Sequence, residues 1–195
     1  MRNWRARLTP LQQRIYDRSA AIPTIQLTPP PQLLEATVVL GEALAREDRA
    51  RVESLSQTIV NHICRQLGVR TVRVQVEGVR PSNRRGELHG LYTQYSGGST
   101  SIQVWMRTAK RGQVVAFRTF LRTLLHEVCH HLDYTYLHLR ESYHTEGFFQ
   151  RESSLFRAIV RQPAAEEAHQ PGQSLTAMVS AILATRGQGN GDGGQ

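Results

Sequence analysis

Leu55, Ile59, Ile63 and Leu67 recur every fourth residue and are followed by Gly68, so a helical pattern over about 32–67 ends where a capping glycine belongs. The period then changes to two. Val69, Thr71, Arg73, Gln75 and Glu77 alternate with Arg70, Val72, Val74 and Val76, which predicts a strand that buries its valine face. A polar loop over 78–86 contains Pro81 and Asn83. Two strand-like runs, 88–95 and 101–107, flank Ser96-Gly97-Gly98-Ser99 and read as a hairpin. From Val114 the helical period returns, with Phe117, Leu121, Leu124, Val128 and Leu132 forming one apolar stripe. A last helix over 146–160 has Thr145 as N-cap and Phe148, Phe149, Leu155, Phe156, Ile159 and Val160 as its apolar face.

These elements give an α+β domain over 32–162 in the order helix, three strands, helix, helix. Residues 1–31 end in Thr28-Pro29-Pro30-Pro31 and read as a basic arm or short helix outside the core. Residues 163–195 turn polar and glycine-rich and read as a disordered tail with room for one short helix. No run approaches the roughly 18 apolar residues that span a bilayer, and the basic start leads into no apolar signal region. Cys64 and Cys129 are the only cysteines, too few for a disulfide framework or a CxxC ribbon. A reducing, cytoplasmic setting is the expectation.

The net charge of +8 would ease approach to DNA or another polyanion through a basic surface. Lys110 is the one lysine among 24 basic residues, and the arginines are dispersed, without long basic tracts interleaved with aromatics.

The chemistry concentrates late in the chain, where five of the eight histidines fall between 126 and 144. His126-Glu127-Val128-Cys129-His130 lies on the striped helix. Residues four apart stand about 40° from each other and one turn up, so two imidazoles can reach one ion. Zinc takes such nitrogens at about 2.0–2.1 Å and, in catalytic sites, keeps a position open for water. Glu127 sits about 60° round from His130, placed to act as general base toward that water. For the third ligand His144 stands first, because thirteen residues after His130 suffice to end a helix and turn back. Glu141, Glu146 and Glu152 are the alternatives. His131 is about 140° from His126 and cannot share its ion; it is i,i+4 to Glu127 and could hydrogen-bond it. Asp133 lies too far along the axis for the same tetrahedron and suits accepting a proton from the far nitrogen of a ligand histidine. The run 101–107 is a candidate edge strand for an extended peptide, and Tyr92, Tyr95, Tyr134, Tyr136 and Tyr143 are candidate oxyanion donors.

Leu125-His126-Glu127-Val128-Cys129-His130 followed by His144-Thr145-Glu146-Gly147-Phe148 resembles the SprT-like (Spartan-type) metallopeptidases. The upstream Gly90-Leu91-Tyr92 and Ile102-Gln103-Val104-Trp105 strands fit the same order. The resemblance spans about 65–150 and implies a zincin-like domain. In it His126, His130 and His144 would bind Zn2+ and Glu127 would be the catalytic base. It implies a protein or peptide substrate, with DNA-associated proteins among the family's targets. Two departures stand out: Thr145 and Glu146 precede Gly147, and the cysteines for a zinc ribbon are missing. The rival expectation is a nucleic-acid- or partner-binding module in which zinc is structural or vestigial.

Overall fold

The computed structural model describes residues 4–84 and 86–160. A short 3-10 turn, Trp4–Arg7, leads to α1 (Pro10–Ala20), which a reciprocal cap opens. The Thr9 hydroxyl accepts from the Gln12 amide at 3.3 Å, and the Gln12 side chain accepts from the Thr9 amide at 3.1 Å. Here the expected arm outside the core gives way to a packed element. Ile15 and Ser19 of α1 are buried, and Ile25 in the extended segment that follows belongs to the core. The anchoring residues are few and partly polar, so they leave no apolar period in the sequence.

The stretch 32–67 forms two helices instead of one continuous run. Pro31 opens α2 (Pro31–Ala45), where its fixed φ suits the first helical position and its missing N–H is no loss. The chain breaks at Glu47, which adopts a left-handed φ of 59°. Asp48 then caps α3 (Arg49–Gln66), its carboxylate accepting from the Arg51 amide at 3.0 Å. Both helices bury into one core, through Leu33, Leu40 and Leu44 from α2 and Val52, Ile59 and Ile63 from α3. That shared burial kept the apolar spacing even across the break.

β1 (Arg73–Val79) begins four residues later than the alternation suggested, and Val72, Val74 and Val76 are buried as expected. The loop after it carries a minimal hairpin, β2 (Ser82–Asn83) with β3 (Gly86–Glu87). β4 (Gly90–Gln94) and β5 (Thr100–Arg107) pair antiparallel, the anticipated hairpin. The sheet order is β1-β5-β4, with β1 parallel to β5. The run 101–107 is therefore the central strand and cannot receive a peptide; β4 is an edge.

α4 (Phe117–Thr135) lies across β4 and β5 and buries Leu121, Leu124, Val128 and Leu132. α5 (Glu146–Ile159) packs on α4 and touches α1. Thr145 caps it as expected, its hydroxyl accepting from the Phe148 amide at 3.1 Å. Phe149 departs from the expected apolar face, being 49% exposed. The molecule is α+β, and no helix among the described residues is long and apolar enough to cross a membrane. The tail over 163–195 lies outside the described residues.

Candidate metal centre

α4 carries His126, Glu127 and His130, and its end at Thr135 lets the chain turn back so that His144 arrives one residue before the cap of α5. His144 Nε2 lies 2.9 Å from His126 Nε2 and 3.1 Å from His130 Nε2. All three candidate ligand atoms fall within 4.8 Å of one another. The Phe148 ring backs the cluster, its centroid 4.9, 4.8 and 5.1 Å from the rings of His126, His130 and His144.

The outer nitrogens of the two helix histidines are already engaged. Glu152 Oε2 stands 3.2 Å from His126 Nδ1, and a carboxylate there accepts the Nδ1 proton. Ser142 donates to Asp133 Oδ2 at 2.6 Å, so its oxygen accepts from His130 Nδ1 at 2.7 Å. Both tautomers are thereby fixed with a bare Nε2 lone pair facing inward. Burial, then the neighbouring His126 and His144, pushes His130 down to about 3, which keeps it neutral near pH 7. Burial and His126 also lower His144.

Lone pairs converging at this range repel unless a cation lies among them. Nitrogens around a tetrahedral ion with bonds of about 2.0–2.1 Å stand roughly 3.3 Å apart, close to the two spacings that His144 makes with His126 and His130. The three histidines therefore suit a divalent metal ion. No family model matches the chain, and no curated protein or solved structure matches it either.

Glu127 faces β4 and is 6% exposed. Burial raises its carboxyl to about 7, against the pull of His126 and a hydrogen bond from the Tyr92 backbone N–H. It fits only because position 90 is glycine: a Cβ there would lie 2.4 Å from Glu127 Oε1. A cavity of about 390 Å³ opens on this side, bounded in part by Glu127, His126, Arg122 and Glu152.

The remaining candidates sort by position. His131 does not reach Glu127. Its Nε2 donates to the Arg70 carbonyl at 2.7 Å, and its Nδ1 faces the Tyr92 hydroxyl at 3.3 Å, on the far side of α4. Asp133 serves a ligand histidine, but through Ser142 instead of directly. Of the alternative ligands, Glu141 pairs with Gln12 and Tyr143, Glu146 with Gln150, and Glu152 with His126 and Arg122. The Tyr92 and Tyr143 hydroxyls are likewise engaged elsewhere, with His131 and Glu141.

The sequence reading missed Ser142, Arg151 and Gly90. Arg151 is fully buried; its Nη2 donates to Asp133 at 2.8 Å, and its Nη1 donates to the Ser19 and Ile22 carbonyls at 2.7 and 2.6 Å. The N-terminal segment is thus tied to the support of the histidine cluster. Arg18 reinforces the tie by donating to the Leu137 carbonyl at 2.8 Å. Gly147 permits the approach of α1, since a Cβ there would stand 2.4 Å from the Ser19 carbonyl oxygen.

Proposed function

We propose that this protein is a zinc-dependent metallopeptidase with a zincin-like domain, hydrolysing peptide bonds of protein substrates. The observation that carries the reading is the convergence of three imidazole Nε2 atoms beside a buried carboxylate. His126, His130 and His144 would hold Zn2+. The metal, when bound, supplies a Lewis acid for the scissile carbonyl and lowers the pKa of water to roughly 7. Among the described residues no fourth histidine, cysteine or carboxylate joins the cluster, which favours a site with a position left for solvent over a closed structural one.

Glu127 does the proton work. Its carboxylate takes a proton from the attacking water as the oxygen–carbon bond forms. It then passes that proton to the departing amine as the carbon–nitrogen bond breaks. Burial favours the protonated carboxyl between the two transfers, and a nearby cation favours its return to the carboxylate. Gly90 and the Tyr92 amide hold the carboxylate at the edge of β4, where an extended peptide can add as a further strand. A DNA-associated substrate rests on the family resemblance and on the net charge of +8.

Glu127→Gln should retain one zinc per chain while losing hydrolysis of an unfolded protein substrate by roughly 10²–10⁴-fold. Zinc content by mass spectrometry and cleavage by gel together decide it. Full activity in the variant would remove Glu127 as base, whereas zinc-loaded wild type that cleaves nothing would return the chain to the binding-module reading.

A further inference from the structure

We infer that the cavity beside Glu127 is a substrate side-chain subsite that selects an acidic residue next to the scissile bond, read by Arg122. The inference rests on the peptidase reading and extends it to substrate choice.

One wall of this cavity of about 390 Å³ is catalytic, formed by Glu127 and His126. A side chain that enters it therefore belongs to a residue flanking the bond being cut. Arg122, one turn before His126 on α4, lines the cavity as well, with Thr119 and Thr123 beside it. The Arg122 guanidinium is held from two sides before any substrate arrives. It lies 4.3 Å over the centroid of Phe156, and its Nη1 donates to Glu152 Oε1 at 3.2 Å. An ordered cation loses little freedom on binding, which makes it a selective contact.

The charges in the cavity are unequal in reach. The Glu152 side chain is 12% exposed, and both its oxygens are engaged, Oε1 by Arg122 and Oε2 by His126. The Arg122 side chain is 44% exposed, and one of its five N–H donors is committed to Glu152. Arg118, one turn earlier on α4, lies 5.2 Å from the same Phe156 ring and adds a second positive charge near Arg122. A carboxylate entering the cavity finds free donors, whereas a lysine or arginine meets a like charge in front of a spent acid.

The test uses short peptide hydroxamates, whose chelating head anchors at the metal, with Glu, Gln or Lys in the adjacent position and in both chain orientations. In one orientation the Glu compound should bind wild type roughly tenfold or more tighter than the Gln compound, the size of a charge-assisted hydrogen bond. The Lys compound should bind weaker than Gln. Arg122→Gln should bring Glu down to the Gln level while leaving Gln affinity and zinc content unchanged. Equal binding of all three compounds to wild type would overturn the inference. So would a uniform loss in Arg122→Gln, which would mean that Arg122 acts through Glu152 on His126. Zinc-loaded protein that binds no hydroxamate at all would instead sink the peptidase reading, and the inference with it.

Discussion

His126 and His130 leave the same helix one turn apart, yet their outer nitrogens are held in different ways. His130 leans on Ser142, then Asp133, then Arg151, and the last two side chains are 0% exposed. His126 leans on Glu152, whose other oxygen pairs with an Arg122 side chain that is 44% exposed at the cleft. One support is dry and continuous with the core. The other borders the cavity, where solvent and substrate arrive. On the metallopeptidase reading proposed above, His130 would anchor the metal on the fold, and His126 would stand on the side of the site that can respond to what binds.

The largest effect should come from cutting the dry support at its root. Arg151→Met leaves Asp133 buried without its cation and frees the Ser19 and Ile22 carbonyls of their donor. Loss of one partner of a buried pair costs about 3–5 kcal/mol, a large part of the roughly 5–15 kcal/mol a domain has. Urea unfolding of metal-free protein measures it. A second change, Asp133→Leu, should recover much of the loss, because removing both charges avoids the unpaired one. A loss under about 1 kcal/mol in Arg151→Met would show that the pair anchors nothing.

How much of this could be read in advance follows from the same contrast. The clustering of His126, His130 and His144 was legible because their spacing is written locally: His126 and His130 are one turn apart, and His144 directly precedes a helix cap. The strands and helices showed through their periods. The supports did not, since they join residues distant in sequence. Ser142 meets His130 only because the chain turns back after Thr135. One signal was available. Arg151 and Glu152 stand between Phe148 and Leu155 at core spacing, and charged residues on an apolar stripe must have buried partners. The packing of α1 left no such trace, because its hold on α5 depends on the Ser19 and Ile22 carbonyls, the small Ser19 hydroxyl and glycine at 147. The central place of β5 was also hidden, as strand order depends on the parallel pairing with β1.

A smaller effect should follow from Ser142→Ala. The half-buried hydroxyl is the only part of the dry support that can be removed without unpairing a charge. His130 then loses its acceptor, and its ring can rotate or take the other tautomer. Zinc affinity should fall about 10–100-fold, read by competition against a chelating dye. The metal-free protein should lose about 1–3 kcal/mol, less than in Arg151→Met, because the buried Asp133 Oδ2 loses its donor. Ser142→Thr keeps the hydroxyl and should restore the affinity. A large drop in melting temperature without loss of affinity would make Ser142 a folding residue and not a support of the ligand.

Glu152→Gln should have the mildest effect and sharpens the comparison most. The amide oxygen can still accept the His126 Nδ1 proton, so the tautomer survives while the negative charge is lost. Zinc affinity should drop only several-fold, below the range for losing an outer hydrogen-bond partner outright. The sharper readout is salt. In wild type the Glu152–Arg122 pair borders the cavity, and an exposed charge is screened over about 8–10 Å at physiological ionic strength. Its influence on His126 should shrink as salt rises, so the difference between wild type and Glu152→Gln should narrow toward 1 M. The difference between wild type and Ser142→Ala should not, because Asp133 and Arg151 are closed off from solvent. If both gaps narrow together, the two supports share one environment, and the division of labour between the histidines fails.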